Sequence, residues 1–174
     1  MVWRQILRNL RNGPGDERPP LLSEDTIRSL AQRLEAAAQT RLGRSLAVRH
    51  VDTGSCGGCE IELRAMRNVL YDLERFGLHF VTSPRQADIL LVTGPLTRNT
   101  HEALRLAWEA MPDPKWVIGI GDCAVDGGVF KGSYAIEGGI AAALPVDLMI
   151  QGCPPTPAQI LAGLRALLEA NAGP

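Results

Sequence analysis

Between residues 46 and 170, short aliphatic runs alternate with stretches in which apolar side chains recur every three or four positions. The runs Leu46–Val51, Leu78–Thr82, Asp88–Thr93, Trp116–Ile120 and Val146–Ile150 predict strands, and the helical spacing predicts helices over about 60–75, 100–111 and 157–170. Runs that are apolar at nearly every position suit strands buried on both faces, as in a parallel sheet between two helical layers. The expected fold is therefore α/β, a doubly wound, flavodoxin-like, mostly parallel sheet. The last helix has the sharpest start: Thr156 at the N-cap, Pro157 at the first helical position and Gln159 three residues after the cap form a capping box.

Residues 1–45 read as an N-terminal helical extension and linker, and 46–174 as the α/β domain. Val2, Trp3, Ile6, Leu7 and Leu10 share one stripe, with Arg4, Arg8 and Arg11 off it. This pattern predicts a short basic amphipathic helix, suited to a membrane surface, a partner's groove or its own domain. Asn12–Pro20, with three prolines and two glycines, is a linker. Ser23 then caps a helix whose stripe runs through Ile27, Leu30, Ala31, Leu34 and Ala38 to a stop at Gly43.

A chain of 174 residues that is 45% hydrophobic can bury a full core as one domain without disulfides. Its net charge of -1 and its scattered arginines exclude a general nucleic-acid binder, so no nucleic acid is expected as a partner. No apolar run approaches the ~18 residues needed to cross a bilayer, and Arg4, Arg8 and Asn9 interrupt any signal-peptide core. The expected setting is cytoplasmic and reducing, with any membrane contact peripheral or through a partner.

The chemistry lies in four cysteines, each in a turn flanked by glycine or proline: Cys56 and Cys59 in Gly54-Ser55-Cys56-Gly57-Gly58-Cys59-Glu60, Cys123 after Gly121-Asp122, and Cys153 in Gly152-Cys153-Pro154-Pro155. Cys56, Cys123 and Cys153 each follow the carboxyl end of a predicted strand, so their loops open on one sheet edge, where α/β folds bind ligands beside helix N-termini. Gly57, Gly58, Gly121, Gly127, Gly128 and Gly152 would let backbone N–H groups approach the sulfurs. Four readings compete. A thioredoxin-type dithiol explains only Cys56 and Cys59. A structural zinc normally draws on two close Cys pairs, whereas one pair and two distant singletons stand here. Four unrelated buried cysteines do not suit such turns. An iron-sulfur cluster uses all four thiolates.

At these residues the chain resembles the cluster-bearing small-subunit family shared by nickel-iron hydrogenases and respiratory complex I, whose member there is the 20 kDa or B-type subunit of NADH:quinone oxidoreductase. The resemblance spans about 46–168 and rests on Ser55-Cys56-Gly57-Gly58-Cys59-Glu60-Ile61-Glu62, on Gly121-Asp122-Cys123-Ala124 with Gly127-Gly128, and on Leu144-Pro145-Val146-Asp147 leading into Gly152-Cys153-Pro154-Pro155. It implies one 4Fe-4S cluster held by Cys56, Cys59, Cys123 and Cys153. The complex I type has adjacent cysteines at its first site. The spacing of Cys56 and Cys59 is similar instead to the membrane-bound, energy-converting hydrogenases, formate hydrogenlyase included. The implied role is one-electron transfer beside a catalytic hydrogenase or complex I-like large subunit, with a ferredoxin-like cluster subunit and membrane subunits as further partners, on the cytoplasmic side of the membrane. The alternatives are the quinone-proximal subunit of a complex I relative and a zinc-stabilised scaffold.

Glu60, Glu62, Asp122 and Asp126 lie near the cysteines in sequence, where acids lower a cluster's potential or relay protons, or simply stand solvated in the first turn of a helix. His50, His79 and His101 lack ligand spacing and read as ordinary strand and helix residues. The glycine-rich stretch Gly127–Gly139 lacks the spacing of a phosphate loop and reads as a cap over the cysteine site or a contact for the large subunit. Trp108 and Met111 read as core.

Overall fold

The computed structural model describes residues 24–69 and 71–171. The predicted amphipathic helix at 1–10 and the linker at 12–20 lie outside the described residues. Helix α1 (Glu24–Leu42) precedes strand β1 (Leu46–Asp52), helix α2 (Gly58–Ala65) and strands β2 (Leu78–Phe80), β3 (Ile89–Thr93) and β4 (Leu96–Thr97). Helix α3 (His101–Glu109), strand β5 (Trp116–Ile120), the short helix α4 (Asp122–Asp126), strands β6 (Ile136–Gly138) and β7 (Leu148–Ile150) and helix α5 (Pro157–Asn171) complete the order.

Five strands pair in parallel in the order β2-β1-β3-β5-β7, the doubly wound arrangement expected from the apolar runs. Strand β3 shows why those runs are continuous. Ile89 and Leu91 join Leu63, Leu78, Ile118, Ile160 and Leu164 in the core on one face, while Leu90 and Val92 join Leu104, Val117, Ile140 and Leu144 on the other. Successive side chains of a strand point to opposite faces, so a strand covered on both must be apolar throughout. Helix α1 packs along α5 and inserts Ala38 into the first core. Met111 is buried and Trp108 half-buried in the second, as expected of core residues.

The register sets the site. Asp52 lies opposite Thr93, Thr93 opposite Ile120, and Ile120 opposite Ile150, so the carboxyl ends of β1, β3, β5 and β7 finish at one level. The opposite end of the sheet carries one buried acid. Asp88, at 1% exposure, accepts both guanidinium N–H groups of Arg44 (2.9 and 2.5 Å) and the Ala47 N–H (2.9 Å), pinning the start of β3 to the start of β1. Replacing Asp88 by alanine strands a buried amide and one arginine. The expected loss is about 2–3 kcal/mol, read as a lowered thermal midpoint, with a smaller loss for Asp88→Asn.

The helix expected over 60–75 is two pieces. Helix α2 stops at Ala65, and a 3-10 turn covers Leu73–Phe76. Asn68 breaks the run: its side-chain oxygen accepts the Tyr71 N–H (3.2 Å), and Asp72 takes the left-handed conformation at φ 42°. Local side-chain bonding of this kind competes with helix continuation. The strand expected over 146–150 shortens to Leu148–Ile150, although Asp147 still pairs with Val117, donating its N–H (3.0 Å) and accepting the Val117 N–H on Oδ2 (2.7 Å). The antiparallel pair β4–β6 was not legible, since strands of two and three residues carry no periodic signal.

Candidate functional site

All three cysteine-bearing loops leave the levelled carboxyl edge. Cys56 comes four residues after Asp52, Cys123 three after Ile120 and Cys153 three after Ile150. Distant positions converge because the ladder ends together. Contacts of Gly121 with Cys59 and of Gly58 with Pro154 display the convergence, and Gly128 shows how tightly the Cys123 loop closes on itself. A Cβ at Gly121 would meet the Cys59 sulfur at 2.6 Å, one at Gly128 would meet the Cys123 sulfur at 2.9 Å, and one at Gly58 would stand 3.6 Å from the Cys56 sulfur and 3.9 Å from the Pro154 ring. At Gly121 and Gly128 the backbone also takes positive φ, +91° and +51°. A side chain is excluded at both places twice over, by room and by conformation.

Side chains of the loops themselves hold the shape. Asp52 Oδ1 accepts the N–H groups of Gly54 (2.9 Å) and Ser55 (2.8 Å), and the Ser55 hydroxyl accepts the Gly57 N–H (3.1 Å) while donating to Glu60 (3.1 Å). These bonds fold the Cys56 turn onto the start of α2. Although burial opposes it, the Asp52 carboxyl is held below its usual range by the Ser55 and Gly54 N–H groups. On the other side, Gly121 N–H donates to Ile150 O (2.8 Å), Asp122 N–H to Gly152 O (3.0 Å) and Gly152 N–H to Asp122 Oδ1 (2.9 Å), so the Cys123 and Cys153 loops are stitched together. The capping box is present: Thr156 N–H donates to Gln159 Oε1 (2.8 Å) and Gln159 N–H to the Thr156 hydroxyl (3.4 Å).

The four sulfurs sit on a gradient from solvent to core. Cys56 and Cys153 are exposed, Cys59 is half-buried against the first core, and Cys123 is buried. Burial, then the neighbouring Cys123, Cys56 and Cys153, push the Cys59 thiol up to about 11. Burial also raises the Cys123 thiol, opposed by the Val129 backbone N–H directed at its sulfur. The repulsion that the four thiolates would exert on one another is relieved when a cationic group takes the protons' place.

Among the described residues no three His, Cys, Asp or Glu side chains are arranged to hold a metal ion. Around one zinc, four sulfurs at about 2.3 Å from the ion crowd within about 4 Å of one another. Among the described residues the cysteines show no such grouping. Four soft thiolate donors, glycine-cleared space beside Cys59 and Cys123 and a backbone N–H on the Cys123 sulfur suit a polynuclear iron-sulfur group.

Of the acids noted in sequence, Glu60 is tied to Ser55, Asp122 to Gly152, and Asp126 to Lys131 (2.8 Å) and the Gly128 N–H (3.0 Å), which hold its carboxyl below the usual range. Glu62 has no side-chain hydrogen bond or ion pair among the described residues. The histidines lie apart from the cysteines' bonding. His50 bonds Thr93 (2.9 Å), with burial lowering its pKa, His101 pairs with Glu137 (2.5 Å), and His79 is exposed. The stretch 127–139 forms a turn and β6 beside Cys123, and Val129 and Tyr134 stand 79% and 87% exposed on it. Ile61, on the helix that begins at the Cys56–Cys59 turn, is 66% exposed. These apolar side chains were not singled out in sequence, where a lone Val, Tyr or Ile carries no sign of exposure.

A parallel sheet with cysteine-bearing loops along its carboxyl edge defines a class of doubly wound α/β domains, and the comparisons narrow it. Residues 56–167 match the model of the family "NADH ubiquinone oxidoreductase, 20 Kd subunit". Formate hydrogenlyase subunit 7 of Escherichia coli (strain K12) is 44% identical over 149 residues, covering 86% of this chain and 57% of that protein. The probable membrane-bound hydrogenase subunit mbhJ of Pyrococcus furiosus is 49% identical over 128 residues, covering 74% of this chain and 77% of that protein. A chain in the structure of the membrane-bound sulfane sulfur reductase, an archaeal respiratory membrane complex, superposes with a TM-score of 0.65 at 34% identity, covering 79% of this chain and 74% of its own length. The chain belongs to the complex I 20 kDa subunit family, whose members are subunits of oxidoreductase complexes. It spans little more than half the length of the Escherichia coli relative.

Proposed function

We propose that the chain is the electron-transfer subunit of a membrane-associated nickel-iron hydrogenase or related oxidoreductase complex, holding one 4Fe-4S cluster through Cys56, Cys59, Cys123 and Cys153. The observation that carries this reading is the gathering of four free cysteines on three loops at one sheet edge, with glycine-made space against the sulfurs. When bound, such a cluster supplies one-electron transfer, and bond chemistry falls to a large subunit. The chain's own residues have five tasks. The thiolates hold the group, and the buried Cys123 side keeps water from it. The Val129 N–H offsets charge on the Cys123 sulfur, while the Asp122 carboxylate adds negative charge and lowers the potential. Ile61, on the helix that follows Cys56, and Val129 and Tyr134, on the stretch that follows Cys123, are exposed apolar side chains suited to a large subunit that brings its redox centre near.

Among the described residues no helix is long and apolar enough to cross a membrane. Membrane association is accordingly proposed as peripheral, through membrane subunits on the cytoplasmic side, with a ferredoxin-like cluster subunit as the other electron partner. The hydrogenase relatives and the Cys56–Cys59 spacing favour hydrogenase chemistry. The family model favours a second reading, the quinone-proximal subunit of a complex I relative. A large subunit that retains nickel-binding cysteines selects the first.

Anaerobic purification with iron, sulfide and zinc analysis, followed by electron paramagnetic resonance of the dithionite-reduced protein, tests the proposal. About four irons and four sulfides per chain with a reduced-cluster signal are expected. Stoichiometric zinc without sulfide would make the site structural and end the electron-transfer reading.

A further inference from the structure

Beside the cysteine edge, on the outer half of the sheet, α2, β1 and β2 enclose a cleft of about 270 Å³. Its floor is Leu63, Phe80 and Val81, and three guanidinium groups, Arg49, Arg64 and Arg67, line it against one carboxylate, Glu60. Counting His50 as neutral, the lining carries a formal +2, three positive less one negative, in a chain whose total is -1. Glu60 is engaged by the Ser55 hydroxyl. Arg49 and Arg64 have no carboxylate partner among the described residues, and Arg67 reaches only Glu74 at 3.5 Å, across an exposed pair, while stacking 5.5 Å over the Phe80 ring. Glu60, Leu63 and Arg64 share one face of α2 and Arg67 follows in the turn after it, so this one segment supplies much of the wall.

Like charges gathered around an apolar floor repel one another unless something negative enters between them. Arginine forks match carboxylates in plane and in number of donors, and a neutral or cationic occupant would leave them unpaired. The mouth is open, with Arg64, Arg67 and Thr82 exposed at it. The same helix presents Ile61 to solvent, next in sequence to the Glu60 that lines the cleft, and so gives the wall an exposed apolar rim. An extended segment lying across that rim can drop side chains into the cleft.

We propose that this cleft receives an acidic peptide segment of a partner subunit, its aspartate or glutamate carboxylates lodged between Arg49 and Arg64. The interaction goes beyond electron transfer and holds whichever metal the cysteines take. It makes the cleft a determinant of which subunit is accepted, since charged pairs across an interface fix register and reject unmatched partners.

The test uses the full chain expressed with its native partners, carrying a photo-crosslinker at the rim, Thr82→p-benzoylphenylalanine. Irradiation of the purified complex is expected to join it to a partner segment bearing two or more acids within about one helical turn of the attachment point. Adding R49E and R64E should lower the cross-link yield about tenfold or more, R49Q with R64Q less so, and lysines in place of the partner's acids should restore the yield to the reversed variant. Iron per chain and circular dichroism unchanged in these variants keep a folding or cluster defect distinct from loss of docking. A cross-link to a segment without acids, no cross-link in a complex with all its subunits, or a yield indifferent to R49E and R64E would overturn the proposal. Thermal stabilisation of the full chain by inorganic phosphate that R49E and R64E remove, with the cross-link unchanged, would reassign the cleft to a free anion and overturn it equally.

Discussion

Cys123→Ser is expected to bring turnover of the assembled complex down by at least about 100-fold and to empty or convert the cluster, since changes around a metal's ligands alone commonly cost 10–100-fold and this one removes a ligand. Cys123 is the sensitive choice among the four. It is buried, and its sulfur lies against Gly128. A serine oxygen there is a harder and poorer ligand, and no water has ready access to substitute. Cys153→Ser, at an exposed position, should behave alike in activity while leaving the fold of the apo chain closer to intact. Iron and sulfide content with electron paramagnetic resonance read the cluster, and turnover of the complex reads function. His79→Ala, on an exposed strand position away from the cysteines, serves as the control with unchanged iron. Persistent turnover in Cys123→Ser would remove that residue from the ligand set.

Gly121→Ala should damage the site almost as severely while leaving all four cysteines in place. The residue sits at φ +91° and ψ 157°, in a region that side-chain-bearing residues avoid at a cost of about 1–3 kcal/mol, and the added methyl would stand 2.6 Å from the Cys59 sulfur. Something must move, and the Gly121 N–H bond to Ile150 limits the backbone's share. The expected result is a chain that still folds, with a thermal midpoint lowered by several degrees and iron content cut by about tenfold, because the loop can relax only by spoiling the sulfur positions. Gly132→Ala gives the comparison: φ is also positive there, at +85°, but no atom lies within 4 Å of the added methyl. Its iron content should be unchanged. Equal iron in both variants would mean that Gly121 clears no space the bound group needs.

The sheet was legible because both of its faces are buried: five aliphatic runs, of which Trp116–Ile120 matches the observed strand end to end, leave little room for another assignment. The three cysteine loops were legible for a related reason, since strand ends locate them before any side chain is considered. What escaped is short or local. The break after Ala65 depends on Asn68 choosing an Asx turn over a helix, and strand pair β4–β6 depends on contacts rather than on pattern. The arginine cleft escaped because Arg49 lies on β1 and Arg64 and Arg67 come from α2 and the turn after it. Only the parallel packing of β1 beside β2 under that helix brings them to one opening. Sixteen arginines scattered through the chain carry no mark of which three will meet.

The stitch between Asp122 and Gly152 spans thirty positions of sequence. Both ends of that excursion are pinned at its base by backbone and carboxylate bonds, so its outer stretch, the exposed residues 131–134, can be lengthened, shortened or rewritten while Cys123 and Cys153 keep their separation. Extra residues in a loop already closed add only slowly to its entropic cost. The chain is thereby divided into a part that evolution or an engineer can reshape to fit a new neighbour and a part that must stay fixed, with the boundary drawn at the two residues that clasp the loop's neck.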